Sequence, residues 1–464
     1  MKRLFLNEFN VKITMLIMTI LYCIPFLMEC VDNLINIVII WAAIIIAWDL
    51  VNRRTVLKTH SALIGVSFVF CFFVTTFFNP FASVNLKLLV YIFLQMLFFT
   101  YFDQQKTNRE IVSELKKLSI LVIRISFLIN IISLVMFFAG YCEIFTNHVI
   151  SNELLMGRHP NSSLYGIMAN ANWTSFLELT NIGLLCFWGR MDGKMNIKTI
   201  CLILLCSSIL FLTNSRGGLI GLLIFIIVDK GINFLRFLLK NRKKAGICFL
   251  MLPILFSITI GGNKIVKDVS GNIYKHIKTV SFIQGPINRT VPIGTTNNNV
   301  GPSTSIQRDK KEKEGSNNIR VELWRAGIKV MQENFLMGIG GEKIGVYIFE
   351  KLSDNSKVDS LALASNTHNI LIQTGVTAGI FGMLFFMTFI LRELLYSLLY
   401  LFRYHGDERI KGAITVLFSL LTSYLVINLV EADIFMSRNF MSCLFWILLG
   451  YMTKLTQAVA KKEM

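Results

Sequence analysis

The chain has 464 residues, of which 54% are hydrophobic and only 16% charged, and its formal net charge is +18. So few charges cannot clothe a soluble domain of this size, and a mean hydropathy of +0.60 with 38 Phe excludes one. The positive balance would point to nucleic acid in a soluble chain, but here it has first to be placed relative to a membrane.

A membrane span needs about 20 mostly apolar residues. In chain order, such stretches lie near 11–29, 34–50, 61–78, 86–102, 118–140, 166–188, 198–213, 217–235, 245–261, 370–391, 411–430 and 438–453. They predict an all-α polytopic membrane protein of about 12 transmembrane helices. Lys2 and Arg3 precede the first apolar run and no small-residue cleavage site follows it, which reads as a retained helix rather than a signal peptide. Basic clusters such as Arg53-Arg54, Lys116-Lys117, Lys243-Lys244 and Lys461-Lys462 all fall on one side. The short connections of the other side hold only Lys87, Arg158, Arg216 and Arg438. Both termini are therefore expected in the cytoplasm.

Three regions result: 1–261 with helices 1–9, an extracytoplasmic loop over 262–367, and 368–464 with helices 10–12 and a cytoplasmic tail. Within the loop, "VPIGTTNNNVGPSTSIQRDKKEKEGSNN" is polar and low in complexity, so 286–318 is expected to be mobile. Val321, Trp324, Ile328, Met331 and Phe335 then recur at helical spacing. They predict an amphipathic helix over 320–335, suited to the membrane surface or to the bundle. The nine cysteines form no CxxC pair, which argues against a disulfide framework or a zinc site; Cys30 and Cys142 alone lie near the outer boundary. Internal repeats of the transporter kind are not visible. Arg124 and Glu178 fall inside spans and are expected to pair.

Chemistry gathers on the outer face. Arg320 starts the 320–335 helix at the edge of its apolar side, where a guanidinium either snorkels to headgroups or holds an anion. Arg325, three residues from Glu322, reads as a solvated or salt-bridged side chain. In "FLTNSRGGLIGLL", Arg216 with Gly217 and Gly218 opens the eighth span at an outward helix N-terminus. That is either a headgroup anchor or a phosphate site. His368 follows Ser365, Asn366 and Thr367, the residue types of an N-cap. A histidine at the positive end of that helix is either a polar residue at a helix start or a base. Gly375 and Gly379 form a GxxxG, with Gly382 one turn on, which predicts close helix packing. Glu431 and Asp433, in the last outer turn, are candidates for binding acceptor hydroxyls or a cation.

In combination these stretches resemble the O-antigen ligase and polymerase superfamily. "RVELWRAG…MGIGG" followed by "THNILIQTGVTAGIFG" is similar to its signature of His-Asn, nine residues, then Gly-x-x-Gly, on His368, Asn369, Gly379 and Gly382. Met383 departs from the Thr or Val that follows in the family, and Asn334-Phe335 stands where Asn-Pro is usual. "TNSRGG" resembles its Ser-Arg-Gly element on Arg216, "RVELW" its Arg-x-x-x-Trp element on Arg320, and "NANWTSFLELTN" its Asn-rich sixth span on Asn170 and Asn172.

The resemblance covers about 155–450 and implies a C-type glycosyltransferase-like fold in the bacterial cytoplasmic membrane. The implied reaction uses an oligosaccharide on undecaprenyl pyrophosphate as donor and a glycan as acceptor. Cofactor, required metal and nucleic acid play no part in it. The bilayer, a flippase and a chain-length regulator are the further partners implied. His368, Arg320 and Arg216 would carry the reaction, and Asn172, Asn369 and Glu431 would join the arginines in binding substrate. A polymerase of surface polysaccharide is the leading reading, and a ligase to lipid A core or another terminal acceptor is the alternative. A flippase or transporter is disfavoured by the long ordered outer segment and the absence of repeats, and a rod-shape-type peptidoglycan polymerase by the lack of a matching outer-loop acid.

Overall fold

The computed structural model describes residues 6–52, 61–78, 82–100, 106–147, 152–159, 162–240, 251–279, 310–341, 344–352, 366–403, 407–435 and 437–463. In chain order the elements are α1 (Glu8–Tyr22), α2 (Met28–Asn52), α3 (Ala62–Phe78), α4 (Ala82–Phe93), which runs into a π-helical turn (Leu94–Phe98), and α5 (Asn108–Ala139). Then come β1 (Cys142–Asn147), β2 (Asn152–Arg158) and β3 (Leu164–Gly166). They are followed by α6 (Ala171–Asp192), α7 (Ile197–Leu212), α8 (Arg216–Lys240) and α9 (Met251–Thr279). The rest are α10 (Lys310–Glu333), α11 (Ile344–Glu350), α12 (Ile370–Arg403), α13 (Glu408–Asn428) and α14 (Phe440–Glu463).

Each expected span overlaps a described helix, with residues 101–102 and 245–250 of the expected spans lying outside the described residues. By length and composition α2, α5, α8, α12 and α13 are long and apolar enough to cross a bilayer, and α3 and α7 are shorter apolar helices. The protein is a helical membrane protein.

Three expectations change. The all-helical architecture gains a small antiparallel sheet, β1-β2-β3, in the connection between α5 and α6. The ninth apolar helix does not end at 261 but continues to Thr279. The amphipathic helix begins at Lys310, ten residues before expected, and stops at Glu333. Of the stretch 286–318, residues 286–309 lie outside the described residues.

The chain divides into two compact units: Met1–Tyr22, Glu29–Leu118 and Glu314–Met464 form one, Cys23–Met28 and Ser119–Lys313 the other. The first is built around α14. Leu444, Phe445, Trp446, Ile447, Leu448 and Leu449 are all fully buried, as befits a helix apolar all round. Phe386 of α12 meets Phe68 of α3 at 5.5 Å, Phe435 at 5.0 Å and Trp446 at 6.1 Å between ring centroids, in tilted or edge-on contacts.

α10 belongs here too, through a second apolar stripe joined by Met331 of the expected one. Leu323, Ala326 and Val330 are the buried residues, in a core with Ile339, Ile344, Ile348 and Val376, while Val321, Ile328 and Phe335 are exposed. The helix carries two apolar stripes, and tertiary packing selects the second.

In the other unit α6 packs on α7 and α8. The sheet is fixed by Arg158, whose guanidinium lies 3.4 Å from the Tyr274 ring centroid and 4.8 Å from that of Phe137 and donates to Ser162 Oγ at 3.0 Å. The expected Arg124–Glu178 pair does not form. Arg124 is exposed, and buried Glu178 interacts with Asn130, Asn181 and Cys206. Neutral groups, Asn181 on the same helix and Asn130 and Cys206 on two others, stand beside the buried carboxyl in place of a cation.

Candidate active site

In the first unit one carboxylate gathers two of the predicted groups, Arg320 and His368. Glu431 is 6% exposed and lies in the turn between α13 and α14. Its Oε1 accepts from Arg320 Nη2, and its Oε2 lies 2.7 Å from His368 Nδ1. The turn is held from both ends. Ile434 N–H donates to Asn428 Oδ1 at 3.1 Å, and Ile434 C=O accepts from Trp446 Nε1 at 3.0 Å and Ser442 Oγ at 3.1 Å. Its start is tied to α12, because Asn369 Nδ2 donates to Leu429 C=O at 2.9 Å.

Asn369 also replaces the expected N-cap. Its Oδ1 accepts from the backbone N–H of Leu371 at 3.0 Å and of Ile372 at 3.2 Å. Asn366 Oδ1 instead accepts from His368 N–H at 2.7 Å, Thr367 bonds to Gln373 Oε1, and Ser365 lies outside the described residues. His368 therefore precedes the cap, with φ +49, in a left-handed conformation that non-glycine residues rarely adopt. Its charge environment is set by Glu431 more directly than by the helix end. A carboxylate accepts, so Nδ1 is the donor, and in the neutral imidazole Nε2 then holds the lone pair.

Trp324, one turn after Arg320, has its indole Nε1–H enclosed and without a hydrogen-bond partner among the described residues. Arg325 behaves as read from sequence: it is 69% exposed and bonds Glu322 at 3.0 Å.

Asp433 is the second acid. Desolvation, then the Glu431 charge, pushes its carboxyl up to about 7, against the lowering effect of His368, Arg320 and an Asn439 hydrogen bond. Its raised folded value means stability is complete below the ordinary aspartate range and is lost as pH rises toward 7. Asp433→Asn should therefore raise the thermal midpoint in detergent at pH 8 and leave it unchanged near pH 4. An equal shift at both pH values would refute this.

In the second unit the turn before α8 is equally ordered. Ser215 Oγ accepts from Gly218 N–H at 3.1 Å, capping α8, and donates to Asn172 Oδ1 at 2.8 Å. Asn170 caps α6 through Asn172 N–H and Trp173 N–H. A Cβ on Gly218 would come 2.5 Å from Ser175 Cβ, so this glycine serves the close approach of α8 to α6. Arg216 is exposed at the helix start, and Lys267 of α9 donates to Asn214 Oδ1 at 2.8 Å. Asn172 thus reaches the Arg216 turn through Ser215. Sequence reading missed Lys267 and Asn214; the positive φ of Asn214 (+57) leaves no sequence signal beyond the residue type.

Residues 201–387 match the family model described as O-antigen ligase. Over that stretch, about two fifths of its length, the chain is similar to the O-antigen ligase family. The match takes in Arg216, Arg320, His368 and Gly379, whereas Asn172 and Glu431 lie outside it. The sequence therefore supports the O-antigen ligase/polymerase superfamily, whose members are glycosyltransferase-like enzymes of polysaccharide biosynthesis. No curated protein matches the chain.

Proposed function

We propose that the protein polymerises undecaprenyl-pyrophosphate-linked repeat units into surface polysaccharide at the outer face of the bacterial cytoplasmic membrane. The observation that carries this reading is the single carboxylate of Glu431 holding both Arg320 and His368, in a chain whose residues 201–387 match the O-antigen ligase family model. An acceptor hydroxyl attacks the anomeric carbon of the donor sugar. The carbon–oxygen bond to the lipid pyrophosphate breaks, and the pyrophosphate leaves with the bonding pair. His368 Nε2 takes the hydroxyl proton, with Glu431 steadying the imidazolium that results. The Arg320 guanidinium uses one edge on Glu431 and keeps further donors for phosphate oxygens. In the second unit Arg216 offers another guanidinium at a helix N-terminus. Asn172 and Asn369 are spoken for as structural partners, so their contribution to substrate binding is to hold these arms in place.

The match to the O-antigen ligase family favours a second reading, a ligase that moves finished glycan to a terminal acceptor. Purified protein given a short lipid-linked oligosaccharide decides between them. A ladder of longer lipid-linked products is expected. A single transfer to an added lipid A core acceptor, with no ladder, would select the ligase, and neither product would refute both.

A further inference from the structure

α12 is interrupted at Gly379, whose φ of +68 and ψ of −176 only glycine adopts easily. The groups freed by the interruption have not been left open. An unbroken helix would pair Val376 C=O with Ile380 N–H. Here Val376 C=O accepts from Ile339 N–H at 2.9 Å, Thr377 C=O accepts from Gly340 N–H at 3.0 Å, and Ile380 N–H donates to Phe335 C=O at 2.8 Å. The loop after α10 has been exchanged into the ladder of α12.

The approach requires glycine on both sides. A Cβ on Gly379 would lie 2.1 Å from Leu336 O, and one on Gly338 (φ +70) would lie 2.6 Å from Gly379 N. The same loop is fastened beneath: Thr75 Oγ1 donates to Met337 C=O, and Gly341 N–H donates to Asn85 Oδ1 at 3.0 Å. From this foot α10 and the first turns of α12 run side by side. Gly375 faces Met331, its added Cβ 2.4 Å from Sδ, and Gly327 faces Ile372, its added Cβ 2.8 Å from Cγ2. At the far end Arg320 and His368 meet on Glu431.

We propose that the break at Gly379 is a socket for the main chain of residues 335–341, and that it fixes the register of α10 on α12, so that Gly338, Gly379, Thr75 and Asn85 are positioning residues for Arg320 and His368. Their catalytic importance rests on the reaction proposed above; the socket itself does not. The covalent route from α10 to α12 is long, so the exchanged hydrogen bonds, and not chain connectivity, set the register. A misplacement of about 1 Å at reacting groups costs on the order of 100-fold in rate.

The test uses the full chain in detergent with Gly327→Cys and Ile372→Cys, which bring two Cβ atoms within disulfide range and remove the isoleucine from the sulfur's path. The 327–372 cross-link, read by mass spectrometry of the linked peptides, should close readily. Gly338→Ala and Thr75→Val should each slow its closing, and the same substitutions without the cysteines should cut glycan extension by about 100-fold. Thr75→Ser, which keeps the hydroxyl, should restore both readouts, whereas Thr75→Val guards against a Gly338→Ala protein that does not fold. Unchanged closing with Thr75→Val and Gly338→Ala overturns the socket, and slowed closing with full extension overturns its positioning role. If even the unaltered protein fails to extend glycan while closing still depends on the foot, the proposed reaction falls and the socket stands.

Discussion

Replacing His368 by alanine should lower glycan extension by about 100- to 10,000-fold, the usual cost of losing a general base, in a protein that remains folded and inserted. In the proposed reaction the histidine is a base with one face committed: Nδ1 lies 2.7 Å from Glu431 Oε2, which leaves Nε2 for the acceptor proton. The sharper variant is His368→Asn. Asparagine tolerates the left-handed backbone found at this position better than most residues do, so the strain at φ +49 should ease. Its thermal midpoint should equal or exceed that of the unaltered protein, and its activity should still be lost. Residual activity in the unaltered protein should survive EDTA. Near-normal polymer from His368→Asn or His368→Gln would remove the imidazole from the reaction and leave it as a residue that shapes the entry to α12.

Arg320→Lys should cost on the order of 100- to 1,000-fold, the scale for losing a charge-stabilising donor at a reacting oxygen. An ammonium on a flexible stem cannot bond Glu431 and a phosphate with one planar fork. Glu431→Gln should fall in the same range, because the neutral amide no longer fixes the histidine tautomer or the arginine. The double variant Arg320→Lys/Glu431→Gln should be little worse than either single, since the two side chains act as a unit. Arg325→Lys is the control, with its side chain 69% exposed and an i,i+3 ion pair with Glu322 as its only one among the described residues, so activity should stay within about twofold. Full additivity, or Arg325 proving as sensitive as Arg320, would overturn the assignment.

The sequence by itself determined where the helices lie, because apolar runs of membrane length and lysine–arginine clusters are local signals. It also singled out Arg320, His368 and Glu431 from residue type and from their places on an amphipathic stretch, before an apolar run and between two apolar runs. What tied them together could only be decided in three dimensions: Glu431 is 111 residues from Arg320 and 63 from His368, and periodicity says nothing over such separations. The sheet escaped for a related reason. Its strands are six, seven and three residues long, and they are held by pairing with one another and by an arginine packed between Phe137 and Tyr274. The choice of face on α10 was likewise tertiary, since Val321, Ile328 and Phe335 have the same helical spacing as the residues that became buried.

The glycines show the division most clearly. The spacing of Gly375, Gly379 and Gly382 was legible and announced close packing, and Gly375 does receive Met331. The same spacing could not reveal that Gly379 breaks its helix. A broken helix in apolar surroundings is tolerable only where another segment satisfies the freed backbone groups. That segment, residues 335–340, becomes a partner only once the chain has folded back onto α12.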